Sequence, residues 1–217
     1  MVFLSASNVT KGYLIFPLIW WVWFRQSADR PADRAVIGTI LVACIIAVAV
    51  SQLAQYLPNR TRPLFDLSLH LRHPEGLHEE HYNQWSSFPS DHATLFFSIA
   101  VGFFFISPLL GWYALAHALF IVSFPRVYIG LHYLSDVLAG AVLGGGLAYL
   151  LLRQEAVRRW VGYCLDRWEH KYTAIFYAVF FAVTAQMLYL FYDANEFAHY
   201  VWAVVKGLWI KLVGASA

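Results

Sequence analysis

Apolar residues run along this chain in long uninterrupted stretches, broken by short polar segments. A helix needs about 20 mostly apolar residues to cross the hydrocarbon core of a bilayer. Six stretches approach that length. The first runs from roughly Leu4 to Phe24, with Ser5, Ser7, Asn8 and Lys11 intruding near its start. The second, roughly Ala35 to Tyr56, is the cleanest. The third begins at Ser90 to His92 and reaches about Ile106; after the tight turn Ser107-Pro108 the fourth covers about Leu109 to Phe124. The fifth, about Tyr133 to Leu152, is rich in small residues, and the sixth runs from about Tyr172 to Tyr192. Near the C-terminus Val201, Val204, Val205, Leu208 and Leu212 share one helical face, with Lys206 opposite. That segment, His199 to Val213, reads as an interfacial helix lying in the bilayer plane, with a seventh short span as the alternative.

Composition agrees with this pattern. Of 217 residues, 60% are hydrophobic and 13% charged, where a soluble domain carries roughly 25% charged residues. The 9 Trp and 13 Tyr are of the kind that gathers at membrane interfaces. The expected fold is all-α, an integral membrane bundle of about six transmembrane helices with a C-terminal interfacial helix. No repeat or linker divides the chain, so residues 1–217 are read as one domain. A net charge of +2 gives no basis for nucleic-acid binding. The start lacks a basic leader and a small-residue cleavage site, so no cleavable signal peptide is expected. Cys44 lies in an apolar run and Cys164 in a charged loop, which argues against a disulfide or a thiolate metal site.

Lys and Arg in short loops set orientation. Arg25, Arg30 and Arg34 follow the first stretch; Arg153, Arg158, Arg159, Arg167 and Lys171 follow the fifth. Both loops are expected on the cytoplasmic side. The long loop from Leu57 to Pro89 and the short one around Arg126 then face outward. Gly140 and Gly144 have the small-xxx-small spacing that lets helices approach closely. Packing within the bundle is the plainer reading, and a homo-oligomer through this glycine-rich helix is the alternative.

Three polar clusters fall at the outward ends of these spans: Gln55 to Pro63, containing Arg60 and Arg62; Phe88-Pro89-Ser90-Asp91-His92; and Pro125-Arg126 through His132 to Asp136. Ionisable groups at such positions are functional candidates by default. Their chemistry suits phosphoryl transfer. His132 and Asp136 are four apart and share a helical face. A carboxylate on one ring nitrogen fixes the tautomer and leaves the other to attack. Arg62 and Arg126 offer forked, permanent cations to phosphate oxygens. Ser90 and the amides of Asp91 and His92 lie where a helix N-terminus favours an anion. His92 is placed to protonate a leaving oxygen and then act as base toward water. This scheme needs no metal and no cofactor.

The order R-P, P-S-x-H, R-x5-H-x3-D resembles the type-2 phosphatidic-acid phosphatase superfamily, whose full pattern is K-x6-R-P, P-S-G-H and S-R-x5-H-x3-D. The resemblance implies that His132 is a nucleophile forming a phosphohistidine, that Asp136 orients it, and that His92 is acid and base. It implies that Arg62, Ser90 and Arg126 bind phosphate. Three positions depart from the pattern: Gln55 for Lys, Asp91 for Gly and Pro125 for Ser. Arg60 is a candidate to replace the missing lysine. Asp91 either holds an arginine or pairs with His92 to keep it protonated. The run Ser87 to Thr94 is similar to the bacitracin-resistance branch, the undecaprenyl-diphosphate phosphatases, which carry P-S-D-H and tend to lack the lysine. The resemblance therefore implies hydrolysis of undecaprenyl diphosphate at the outer face of a bacterial inner membrane.

Rivals within the enzyme class are phosphatases of phosphatidate, phosphatidylglycerol phosphate or lipid A phosphates, and a lipid phosphotransferase. Outside that class stands a transporter or receptor that binds a phosphorylated lipid without turnover. The loop bearing His70, His73, Glu75, His78, Glu79, Glu80 and His81 reads as a hydrated mouth of the site rather than a zinc site, because its spacing is not H-E-x-x-H. His117, nine residues before Arg126 or roughly 13 Å along a helix, reads as a packing residue.

Overall fold

A computed structural model describes residues 2–3, 8–55, 60–75 and 86–190. The C-terminal segment read as an interfacial helix, the end of the sixth stretch beyond residue 190, and His78 to His81 lie outside the described residues. The described residues form helices joined by loops, turns and two 3-10 turns. The helices are α1 (Asn8–Gly12), α2 (Phe16–Phe24), α3 (Arg30–Gln55), α4 (Asp91–Phe104), α5 (Pro108–Tyr128), α6 (Leu134–Arg153), α7 (Glu155–Lys171) and α8 (Thr173–Leu188). Among the described residues α3, α5 and α6 are long and apolar enough to cross a membrane; α4 and α8 are apolar but shorter. At 1.5 Å per residue, α3 spans about 39 Å and α6 about 30 Å, against roughly 30 Å of hydrocarbon.

The first expected span differs. Gly12 closes α1, and α2 starts afresh with Pro17 in its first turn. A proline lacks the N–H that a continuous helix needs and is tolerated only at a start. α2 is therefore about 14 Å long. Its aromatic side chains bind it to α8: the ring of Trp20 lies 4.7 Å from that of Phe180, and Trp23 lies 4.8 Å from Phe180.

The charged segment after α6, expected as a loop, is the 17-residue helix α7. Its charges stand on the outer face, with Arg159 and Glu155 paired one turn apart at 3.4 Å. Val161 and Leu165 press on α3 at Gly38, and Gly162 approaches Ala35. Cys164 is thus exposed on a helix rather than in a loop. Arg34 reaches across to Glu169 at 2.8 Å. A cleft of about 590 Å³ opens between α3 and α7 beside Arg34, Arg158 and Tyr163.

The middle of the bundle is α4, packed against α3, α5 and α6. Gly140 and Gly144 face it, so the glycine pair is used within the chain: a Cβ on Gly140 would fall 2.4 Å from the Ser90 carbonyl. Within α5 the stretch His117–Ser123 winds as a π-helix and returns to α just before Pro125. A mid-helix proline clashes with the carbonyl four residues earlier, and the wider turns relieve that clash. His117 is buried there, its ring 5.4 Å from that of Phe96.

Candidate active site

The antiparallel arrangement brings the C-terminal ends of α3 and α5 to the N-terminal ends of α4 and α6. All three polar clusters meet there, at the end of α3 remote from the cleft. Gln55 donates to the Pro89 carbonyl at 3.2 Å, fastening the end of α3 to the turn before α4. Ser90 caps α4, its Oγ accepting from the Ala93 amide, and its own amide donates to the Asp136 carbonyl at 3.0 Å. That bond joins the first turns of α4 and α6. Between α5 and α6 the chain reverses at Gly130, whose φ of 77° suits glycine. The Leu131 amide returns to the Arg126 carbonyl at 2.9 Å, holding Arg126 and His132 on one short turn. Leu64 donates to the Gly130 carbonyl at 2.8 Å, which lays the segment after Arg62 against the same turn.

His132 is almost wholly buried, at 2% exposure. Its Nδ1 lies 2.9 Å from the Ser87 carbonyl, an acceptor, so Nδ1 carries the proton. Its Nε2 lies 3.4 Å from Arg62, a donor only, so the lone pair is on Nε2. The bond that sets this tautomer therefore goes to a backbone carbonyl. Asp136 stands at 3.8 Å from Nδ1, beyond hydrogen-bond length but close enough to act on charge. One Asp136 oxygen accepts from the Tyr133 amide at 2.8 Å, a carboxylate reaching back to its helix start. The other takes Arg60 at 2.5 Å. Arg60 also stacks 4.2 Å over the Tyr133 ring and bonds Ser135. Its guanidinium is thus engaged with Asp136. The charges of Arg62, Arg126 and Asp91 all reach His132, and burial holds the ring below the ordinary histidine value while Asp136 pulls the other way.

His92 forms the second centre. Asp91 Oδ1 accepts both the His92 amide at 2.7 Å and Nδ1 at 2.9 Å. Of the two roles open to Asp91, this is the histidine pairing. Arg126, 3% exposed, donates to His92 Nε2 at 2.7 Å. The site thus gathers Arg62, Ser90, Asp91, His92, Arg126, His132 and Asp136, with Gln55 and Arg60 bracing it from behind. His117 stays apart, and His73 packs by Phe65. Among the described residues no three His, Cys, Asp or Glu side chains converge as a metal site would require.

Sequence reasoning missed two contributors. Ser87 acts through its carbonyl, which no residue type signals. Lys11, from α1, is 3% exposed and brings Nζ to 3.3 Å from His92 Nε2.

The model of the PAP2 superfamily matches residues 36–160, which include every one of these site residues except Lys11. The chain belongs to the PAP2 superfamily. Among curated relatives of this PAP2 chain, an undecaprenyl-diphosphatase of Sulfolobus acidocaldarius is 29% identical over 118 residues, 54% of either chain. Undecaprenyl-diphosphatase BcrC of Bacillus subtilis is 26% identical over 153 residues, 70% of this chain and 72% of that one. A bacitracin transport permease protein of Bacillus licheniformis is 49% identical over 59 residues, 27% of this chain and 29% of that one. The match thus spans about half the length of the Sulfolobus protein. No solved structure matches the chain significantly. Family and apolar helices together make this a membrane protein of the PAP2 superfamily.

Proposed function

We propose that this PAP2 protein hydrolyses a polyprenyl diphosphate, undecaprenyl diphosphate foremost, to the monophosphate and inorganic phosphate through a phosphohistidine on His132. The observation that carries the reading is the common polarity of the two histidines. Each is pinned at Nδ1, by Ser87 or Asp91, and each presents Nε2 to an arginine. A site built only to bind an anion has no use for a buried, oriented lone pair. That argues against a transport role of the kind named for the Bacillus licheniformis relative.

In the proposed reaction the terminal phosphate enters between Arg62 and Arg126, which turn from the ring nitrogens to its oxygens. Nε2 of His132 attacks phosphorus and the bridging P–O bond breaks. The positive charge that grows on the imidazole is stabilised by Asp136 across 3.8 Å and by the Ser87 carbonyl. His92, held by Asp91 as a triad base is held by its carboxylate, then takes a proton from the water that cleaves the N–P bond. The arginine-rich end bearing Arg34 and Arg158 faces the cytoplasm, so the site opens on the other side of a bacterial inner membrane.

The test is phosphate release by purified protein in detergent with EDTA, comparing undecaprenyl diphosphate, phosphatidate and phosphatidylglycerol phosphate, with His132→Ala as control. Preference for the diphosphate, no loss with EDTA and silence of the variant are expected. Substantial turnover by His132→Ala would sink the nucleophile assignment, and preference for a glycerophospholipid would replace the substrate.

A further inference from the structure

Lys11 belongs to none of the three clusters and lies outside the span matched by the family model. It arrives from α1, a five-residue helix that Gly12 separates from α2, and its side chain is buried. Its Nζ converges with the Arg126 guanidinium on a single atom, His92 Nε2, at 3.3 and 2.7 Å. Asp91 takes the opposite ring nitrogen at 2.9 Å. Gln55, in the place where a lysine is expected, is directed to the Pro89 carbonyl. Arg60, the candidate replacement, is directed to Asp136. The third basic side chain beside the histidines therefore comes from the N-terminal helix, on the His92 side.

That side decides what Lys11 does. If His132 attacks the terminal phosphorus, the departing oxygen faces His92. The two ester classes differ in what departs. A phosphate monoester expels an alkoxide, which needs a proton at once. A diphosphate expels a phosphate monoester, whose second ionisation lies near pH 6 and which leaves as an anion without one. His92 Nε2 faces Arg126, a donor only, so it bears no proton to give in this arrangement. What surrounds the departing oxygen is a guanidinium and the buried Lys11 amine, whose charged form an arriving phosphate favours.

The geometry points to Lys11 as a substrate-contacting residue that binds the phosphate nearer the lipid chain and selects diphosphates over monoesters. This deepens the diphosphatase reading above and rests on it. In the step, the His132 Nε2–P bond forms as the bridging P–O bond breaks. The electron pair stays on the departing polyprenyl phosphate, and Lys11 holds its charge while Arg62 and Arg126 stay on the transferred phosphoryl group. His92 remains unprotonated and ready for water.

The test compares wild type, Lys11→Ala and Lys11→Arg for phosphate release from farnesyl diphosphate, farnesyl monophosphate and a short-chain phosphatidate. Removing one preorganised donor to a developing anion costs roughly 10²–10³-fold. Lys11→Ala is therefore expected to lower kcat/KM on the diphosphate by about 10²-fold and on the two monoesters by less than about threefold, and Lys11→Arg to recover most of the loss. A role in folding or in holding the transferred phosphoryl group would lower all three substrates together, and that result overturns the proposal. So does an unchanged Lys11→Ala enzyme. A wild type that cleaves only monoesters overturns the diphosphatase reading and this inference with it. A wild type that cleaves the diphosphate while Lys11→Ala keeps its selectivity overturns the inference alone.

Discussion

Gly144→Ala should damage catalysis from a position that touches no substrate. A Cβ there would stand 1.9 Å from the Thr94 carbonyl oxygen, 2.7 Å from its carbon and 2.7 Å from Ser98 Oγ. Ordinary contact begins at 3.4 Å, so α4 and α6 must part by about 1.5 Å to admit the methyl group. Overpacking of this kind costs about 1–3 kcal/mol. The separation strains the Ser90–Asp136 backbone bond that sets His92 against His132. A displacement of about 1 Å at reacting groups costs on the order of 10²-fold in rate. The expected result is a comparable fall in kcat/KM with a lowered melting temperature in detergent. Gly146→Ala is the control: nothing stands within 4 Å of its Cβ, and alanine gains up to about 1 kcal/mol of helix propensity there. A Gly144→Ala enzyme as active and as stable as wild type would refute the close approach of the two helices.

Two further outcomes follow from the site. Burial depresses His132 relative to the ordinary histidine value, so the ring stays neutral, and Nε2 stays nucleophilic, below the usual histidine range. The acid limb of kcat/KM should fall below about pH 6.5, and because the folded protein binds fewer protons than the unfolded chain there, stability should decline as pH drops; a limb above that value would contradict the buried neutral ring. Asp91→Asn presents an amide to His92 Nδ1 and permits the wrong tautomer; kcat should fall by about 10²–10⁴ with phosphoenzyme accumulating in a rapid-quench burst, and an unchanged steady-state rate would remove Asp91 from the mechanism.

The meeting of the three polar clusters was legible because arginines, histidines and a helix start all fell at the same ends of the apolar stretches. The apolar stretches behind α3 and α6 were legible because a bilayer admits little else. The rest was hidden by what each signal measures. The charge of α7 spoke for a loop although Val161 and Leu165 share its inner face. Lys11 looked like an intrusion in an apolar run, and its place beside His92 emerges only once the chain is folded. Asp136 was read as the group bonded to His132, yet its oxygens go to Arg60 and the Tyr133 amide. Which of several acceptors a ring nitrogen meets is a matter of tertiary placement, and a carbonyl such as that of Ser87 is invisible in a list of side chains.

The wide turns of α5 between His117 and Ser123 have a bearing on how the length of this chain can vary. A π stretch holds in effect one residue more than an α-helix of the same rise. A single deletion between Pro108 and Arg126 can be absorbed by tightening those turns, and Arg126 keeps its bearing toward His92. α6 is α-helical from Leu134 to Arg153 and stores no such slack. There a deletion between Asp136 and Gly144 would turn the glycine face by about 100° from α4. Length can drift in the helix that delivers Arg126 but not in the one that begins just after His132.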